Sequence, residues 1–340
     1  MMSDEELAAL EETIRSYCGR NSLPSENELT ELLDTTISTL EEEDTSYRPL
    51  ADDGNAGGLL EFRENSLPLV IVPDLHARQD FLPSLLSCSF DGLPPLLSAL
   101  NQNLVRVICV GDGVHTEIPQ LVYERWWQSY EHWLDGNIDC PTMRQEMQEC
   151  FATIMTVMAL KNAFPAQFHF LKGNHENILN KNSGGDYAFR KYVQEGEMVR
   201  DFVRTVYSDV VLHLLSCYEG LLPIVAIFNK LGISHAEPGR AYSRQQIINY
   251  HSDDNVILDF TWTANDAAEE QSVVRQFSLL GGKPEKGDVL WIGGHRPVEG
   301  KYSLRQDGAY VQIHNPFEMN VAFVRPEKGF DPQTDIISIR

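Results

Sequence analysis

Five short segments of this chain set an aspartate, an asparagine or a histidine directly after an apolar run. They are Asp74-Leu-His76, Gly111-Asp112-Gly113, Gly173-Asn174-His175-Glu176, Ser234-His235-Ala236 and Gly293-Gly294-His295. Two divalent ions about 3.5–4 Å apart need a bridging carboxylate, with nitrogen and oxygen donors on either side. Asp74, Asp112, Asn174, His76, His235 and His295 form such an inventory and leave room for solvent on the ions. An open position matters because coordination lowers the pKa of bound water to about 7. His175, next to Asn174, is then placed to hand a proton to a leaving oxygen, a contribution typically of about 10²–10⁴ in rate.

The apolar runs read as strands. They are Leu69-Val-Ile-Val72, Val105 to Val110, Phe168 to Leu171, Ile224 to Phe228 with Ile233, and Val289 to Ile292. In layered α/β proteins, ligands and catalytic groups gather at strand ends. Before them, residues 3–18 show helical periodicity, with Ser3 as N-cap and Glu6 completing a capping box. A second helix starts near Ser25 and presents Leu29, Leu32, Leu33, Ile37 and Leu40 on one face. Asp52 to Gly58 reads as a linker. Residues 1–58 are therefore expected to form an acidic helical extension that docks on the main domain or on a partner protein. The catalytic domain is expected over 66–340, with a helical insertion at about 113–165 carrying Trp126, Trp127, Tyr130 and Trp133. Another helical stretch is expected at 186–217, followed by short strands at Tyr310 to Ile313 and Asn320 to Val324.

Composition narrows the function classes. The chain has 340 residues and a net charge of −23, which argues against nucleic acid as a partner. Residues 1–64 hold 17 acidic against 4 basic side chains, so the charge is concentrated at the start. No apolar run approaches the roughly 20 residues needed to cross a bilayer, and the first residues lack the features of a signal peptide. The expectation is a cytoplasmic protein with no membrane partner. The six cysteines form no CxxC pair and are expected to be reduced.

In their order and spacing the five segments resemble the calcineurin-like metallophosphoesterases, and among them the PPP-type, serine/threonine phosphatase-like branch. The GNHE motif is intact at Gly173 to Glu176, and Val256 to Trp262 resembles the Leu-Trp segment that these phosphatases carry between their last two histidines. The resemblance covers about 66–325. It implies an α/β (α+β) fold, a four-layer β-sandwich flanked by helices, here with the N-terminal extension and the insertion added. It also implies that Asp74 and His76 hold the first metal, that Asp112 bridges, and that Asn174, His235 and His295 hold the second. His175 would be the general acid, and a metal-bridging hydroxide would attack phosphorus in line. The ions would be two divalent metals, with Mn first and Fe, Zn or Co as alternatives, and the substrate a phosphorylated protein or small molecule.

The departures from the family pattern are specific. Pro73-Asp-Leu-His-Ala77 loses both glycines of the first motif while keeping its ligands. In Gly111-Asp-Gly-Val-His-Thr-Glu117, Thr116 stands where the family has a phosphate-gripping arginine, and His115 where an aspartate orients the general acid. Losing a bidentate arginine removes a strong oxyanion contact. Arg78, Arg296, Lys172 and Arg275 are candidate replacements, and His115 is a further candidate substrate contact. His295 is followed by Arg296 and Pro297 rather than by a second histidine, which fits the PPP-type branch better than the phosphodiesterases. His132, His169, His213, His251 and His314 carry no motif and read as structural. Phosphomonoester hydrolysis is the leading expectation. Bis-nucleoside polyphosphate hydrolysis and a metal-bearing regulatory module without turnover are the alternatives.

Overall fold

A computed structural model describes residues 1–63 and 66–339 of the chain. Eleven strands run in chain order as β1 (Leu59–Phe62), β2 (Leu69–Val72), β3 (Arg106–Cys109), β4 (Phe168–Phe170), β5 (Val225–Phe228), β6 (Leu231–Ser234), β7 (Trp291–Gly293), β8 (Ser303–Arg305), β9 (Tyr310–Gln312), β10 (Met319–Val324) and β11 (Ile336–Ile339). They form two mixed sheets, ordered β1-β5-β6-β7-β9-β8 and β11-β10-β2-β3-β4. The pairs β2/β3, β3/β4, β6/β7 and β7/β9 are parallel, so their C-terminal ends point the same way within each sheet.

Side-chain alternation explains why the sheets stack. Leu69 and Ile71 of β2 join Ala226 and Phe228 of β5, Ile292 and Val311 in one apolar core between the sheets. Val70 and Val72, on the opposite face of β2, pack with Met155, Met158 and Phe202 under the first helical layer. On the other sheet, Val225, Ile227 and Trp291 pack with Ile247, Phe260 and Phe277 under the second. With a side-chain period of two, strands buried on both faces yield four layers. This is the layered α/β sandwich expected from the sequence. The β1 strand was not expected; it pairs in parallel with β5, Leu59 opposite Val225.

The first two helices are α1 (Asp4–Gly19) and α2 (Glu26–Glu41). The capping box at Ser3 forms, with Glu6 accepting from the Ser3 backbone at 2.7 Å. Ile14, Tyr17, Leu29, Leu33 and Leu40 enter the same core as Val70 and Val107. The long helix Pro141–Ala163 lies beneath α1 and α2, and Asn162 Nδ2 donates to Thr36 Oγ1 at 3.0 Å. Residues expected to be helical at 186–194 are irregular instead; helices follow at Glu195–Val206 and Asp209–Gly220.

A buried ionic cluster joins α2 to the sheet. Glu43 meets the Arg48 guanidinium and the Lys161 ammonium, with His169 Nδ1 of β4 at 3.2 Å. Burial, and then the Lys161 ammonium, push the His169 imidazole down to about 4, while the Glu43 carboxylate opposes them and Arg106 adds to them. A group depressed in this way adds stability that is complete above its unfolded pKa of about 6.5 and is lost as pH falls through its folded value, a term of up to about 3 kcal/mol. The melting temperature is therefore expected to fall between pH 6.5 and 4, with a shallower slope in His169→Gln. Equal slopes in the two proteins would remove His169 from the account.

Candidate metal centre

Each candidate ligand sits where a strand stops. Asp74 and His76 follow β2, Asp112 follows β3, Asn174 follows β4, His235 follows β6 and His295 follows β7. Three of these residues adopt left-handed backbone, His76 at φ 45°, Asp112 at 51° and His295 at 68°, as does His115 at 68°. Such conformations cost about 1–3 kcal/mol each outside glycine and persist where the surroundings fix them. Two glycines make the close approaches possible. A Cβ on Gly294 would overlap Asp74 Oδ1, and one on Gly173 would lie 2.6 Å from the Asp112 nitrogen. Glu176 ties two of the loops together, its carboxylate accepting from Asp112, Gly113 and Gly173 backbone N–H groups at 2.9, 2.8 and 2.7 Å.

Three candidate donors gather around His235 Nε2. His235 Nε2 lies 2.8 Å from Asn174 Oδ1, 3.2 Å from His295 Nδ1 and 3.3 Å from Asp112 Oδ2, and His295 Nδ1 lies 2.8 Å from Asn174 Oδ1. With metal–ligand bonds of about 2.1 Å, neighbouring ligands of one ion are about 3–3.4 Å apart. Beside this group His76 Nε2 stands 3.8 Å from Asp74 Oδ2 and 3.7 Å from Asp112 Oδ2. Asp112 Oδ2 thus faces both positions. His76 and His235 turn their Nδ1 atoms to backbone carbonyls, at 3.1 Å from His115 and 3.2 Å from Val110, which aims Nε2 inward. That is the outer-shell arrangement of metal-binding histidines.

The residues fit cations. Asp74 Oδ1, His76 Nε2 and Asp112 Oδ2 are buried without a hydrogen-bond partner, an arrangement that costs about 1–3 kcal/mol per group if nothing is bound. Burial, then the nearby carboxylate of Glu176 and that of Asp74, lift the Asp112 carboxyl far above its ordinary range. Burial lowers the imidazoles, His295 to about 3 and His235 well below its usual value. Neutral imidazole is the form that binds metal.

His175 lies behind this group, with Nε2 3.6 Å from Asp112 Oδ2 and its backbone N–H donating to Asp112 Oδ1 at 2.9 Å. Its Nδ1 is 2.8 Å from His115 Nδ1, so the two imidazoles share one proton between them. His115 therefore occupies the orienting place as a neutral partner. Phe189 covers both rings, 3.6 Å from His175 and stacked at 5.0 Å on His115.

The basic candidates part company here. Arg78 is buried and its guanidinium donates to the backbone carbonyls of Asp74, Leu75, Asn315 and Glu318, which rules it out as a phosphate grip. Lys172 is likewise spent on the Glu176 carbonyl and on Asp186 at 3.4 Å. Arg275 pairs with Glu269 at 2.8 Å, on the surface. Arg296 alone of the four is both beside a candidate ligand histidine, His295, and without a hydrogen bond from its guanidinium among the described residues. Trp126 is fully buried and donates to the Thr116 carbonyl at 3.1 Å, so it packs the insertion under the site.

Two side chains of the site were missed. Glu117 Oε2 lies 3.6 Å from His76 Nε2, and His314 Nδ1 lies 3.8 Å from Asp74 Oδ2. Buried triads of possible metal ligands include Asp74–His76–His314 and His76–Glu117–His175. His314 reads as structural only because it belongs to no motif. It follows the apolar run Tyr310 to Ile313, the same signal that marks the other ligands.

No protein-family profile and no curated protein matches the sequence. Solved structures do match. A protein serine/threonine phosphatase from Saccharomyces cerevisiae, described as similar to human phosphatase PP5, aligns over 99% of this chain and 95% of its own, with a TM-score of 0.59 at 13% identity. The fold is that of this serine/threonine phosphatase. A cold-active protein-tyrosine phosphatase from a Shewanella species aligns more loosely, over 83% of this chain and 82% of its own, with a TM-score of 0.43 at 11% identity. At 13% identity the yeast phosphatase's fold is what the alignment carries, and the chemistry must be argued from the side chains. Among the described residues no helix is long and apolar enough to span a membrane.

Proposed function

We propose that this protein is a dinuclear metal-dependent phosphoester hydrolase, most readily a phosphomonoesterase, with Asp74 and His76 on one ion, Asn174, His235 and His295 on the other, and Asp112 on both. The observation that carries this reading is that His235 Nε2 meets Asn174 Oδ1, His295 Nδ1 and Asp112 Oδ2 at 2.8, 3.2 and 3.3 Å, next to unpartnered carboxylate and imidazole atoms. Two divalent ions held there, with Mn the first choice, would supply an activated water and offset the charge of a phosphoryl group.

The chain's own residues do the rest. His175 donates a proton to the departing oxygen from Nε2 while His115 holds its other nitrogen. Arg296 grips the phosphoryl oxygens in place of the arginine missing at Thr116. Phe189 shields the histidine pair from water. A phosphorylated protein or small molecule is the substrate class, and the acidic N-terminal helices are the surface for a partner protein.

The test is hydrolysis of an aryl phosphate by protein stripped of metal, before and after adding Mn²⁺. Turnover that returns in proportion to bound metal, towards two ions per chain, is the expected result. Two bound ions with no turnover on aryl phosphates, phosphopeptides or dinucleoside polyphosphates would sink the enzymatic reading.

A further inference from the structure

We propose that Glu117 and His314 extend the first metal position into a cage richer in donors, which holds its ion more tightly than the second position does. The inference rests on the dinuclear reading above and specifies how its two halves differ. At the first position His76 Nε2 faces Asp74 Oδ2 at 3.8 Å, Asp112 Oδ2 at 3.7 Å and Glu117 Oε2 at 3.6 Å. His314 stands between two of these carboxylates, with Nδ1 3.8 Å from Asp74 Oδ2 and Nε2 3.6 Å from Glu117 Oε2.

Both nitrogens of His314 are buried and without a hydrogen-bond partner, and so is Glu117 Oε2. His314 is wholly inaccessible to solvent, and its ring lies 5.0 Å from that of His76. An imidazole with two unpaired nitrogens between two carboxylates is costly unless a cation or a proton occupies the gap. The other oxygen of Glu117, Oε1, accepts from Lys191 Nζ at 2.5 Å, which fixes the carboxylate with Oε2 turned inward. Lys191 belongs to the loop that carries Phe189, so the outer support of Glu117 comes from the segment covering His175.

Charge and donor number then separate the two positions. The first groups Asp74, His76 and His314 in one triad, with Glu117 beside both imidazoles and Asp112 shared. The second has one shared carboxylate, one amide oxygen and two imidazoles. More anionic donors bind a divalent ion more strongly and leave fewer places for solvent. The second ion is therefore the exchangeable one, with room for a phosphoryl oxygen. A mixed nitrogen and oxygen set suits Mn, Fe, Co or Zn better than Mg or Ca.

The experiment loads the full-length protein with Co²⁺, challenges it with a chelator, and follows metal loss by elemental analysis and by the Co²⁺ visible spectrum. In the unaltered protein the loss is expected in two phases, one ion per chain in each, at least tenfold apart in rate. Glu117→Gln and His314→Gln should each speed the slow phase at least tenfold. His295→Ala should remove only the fast one. Unchanged melting of the metal-free variants shows that they fold, and the near-isosteric Glu117→Gln serves if His314→Gln does not. A slow phase unmoved by either variant overturns the cage and leaves the dinuclear reading standing. An unaltered protein that binds fewer than two ions overturns the dinuclear reading itself.

Discussion

Asp112→Asn is expected to abolish metal-dependent turnover while leaving the fold intact. The loss should exceed the roughly 10–100-fold typical of partners one shell further from a metal, because Asp112 Oδ2 faces both positions. It lies 3.3 Å from His235 Nε2 and 3.7 Å from His76 Nε2. An asparagine can keep Oδ1 as acceptor for the His175 N–H, now 2.9 Å away. Its amide would replace the bridging oxygen by an N–H donor and delete one negative charge. Stability should move the other way. Burial and the neighbouring carboxylates of Glu176 and Asp74 already favour a neutral group at this point, so the metal-free variant should melt at or above the metal-free parent. Elemental analysis, aryl phosphate kinetics and calorimetry read the three consequences separately. A variant that keeps two ions and the parental rate would remove Asp112 from the centre.

The second large effect is expected at His175. His175→Gln should lower kcat by about 10²–10⁴ on substrates with a poor leaving group, with two ions still bound. On p-nitrophenyl phosphate the deficit should shrink, since a weakly basic phenolate departs with little help from a proton. A uniform loss across leaving groups would mean that His175 positions the site rather than donating a proton. The His115 contact at 2.8 Å makes this histidine unusual. Burial, and then the imidazoles of His76 and His115, hold its pKa well below the ordinary value. An uncharged orienter cannot counter that shift as an aspartate would.

Much of this site is legible in the sequence because a strand end is a local signal. Apolar runs at Leu69 to Val72, Val105 to Val110 and Phe168 to Leu171 mark the strands, and a candidate ligand follows each run within three residues. Glu117 and His314 were harder. Glu117 is only five residues after Asp112, where motif positions drew the reading to the missing arginine instead. Nothing in the sequence says that the loop after β9 returns to Asp74. Arg78 shows the opposite failure. Its place beside the first motif suggests phosphate, yet in the folded chain its donors are consumed by carbonyls at 74, 75, 315 and 318. Proximity along the chain does not report hydrogen-bond demand, which long-range packing sets. The β1 strand escaped for a related reason: four residues after a pair of glycines carry too short a pattern until β5 supplies a partner.

The two opening helices share their apolar core with the sheet that carries Asp74, Asp112 and Asn174. Leu29, Leu33 and Leu40 have no exposed area to speak of, and Glu43 meets Lys161 and His169 in the interior just beyond them. There is accordingly no thermodynamic seam at the end of α2. Peeling this pair away would bare the long helix and strip the counter-charge from Lys161 in one event. The acidic segment is thus built into the core beneath the candidate ligands, and a force or a competitor acting on it is expected to disturb Asp74, Asp112 and Asn174.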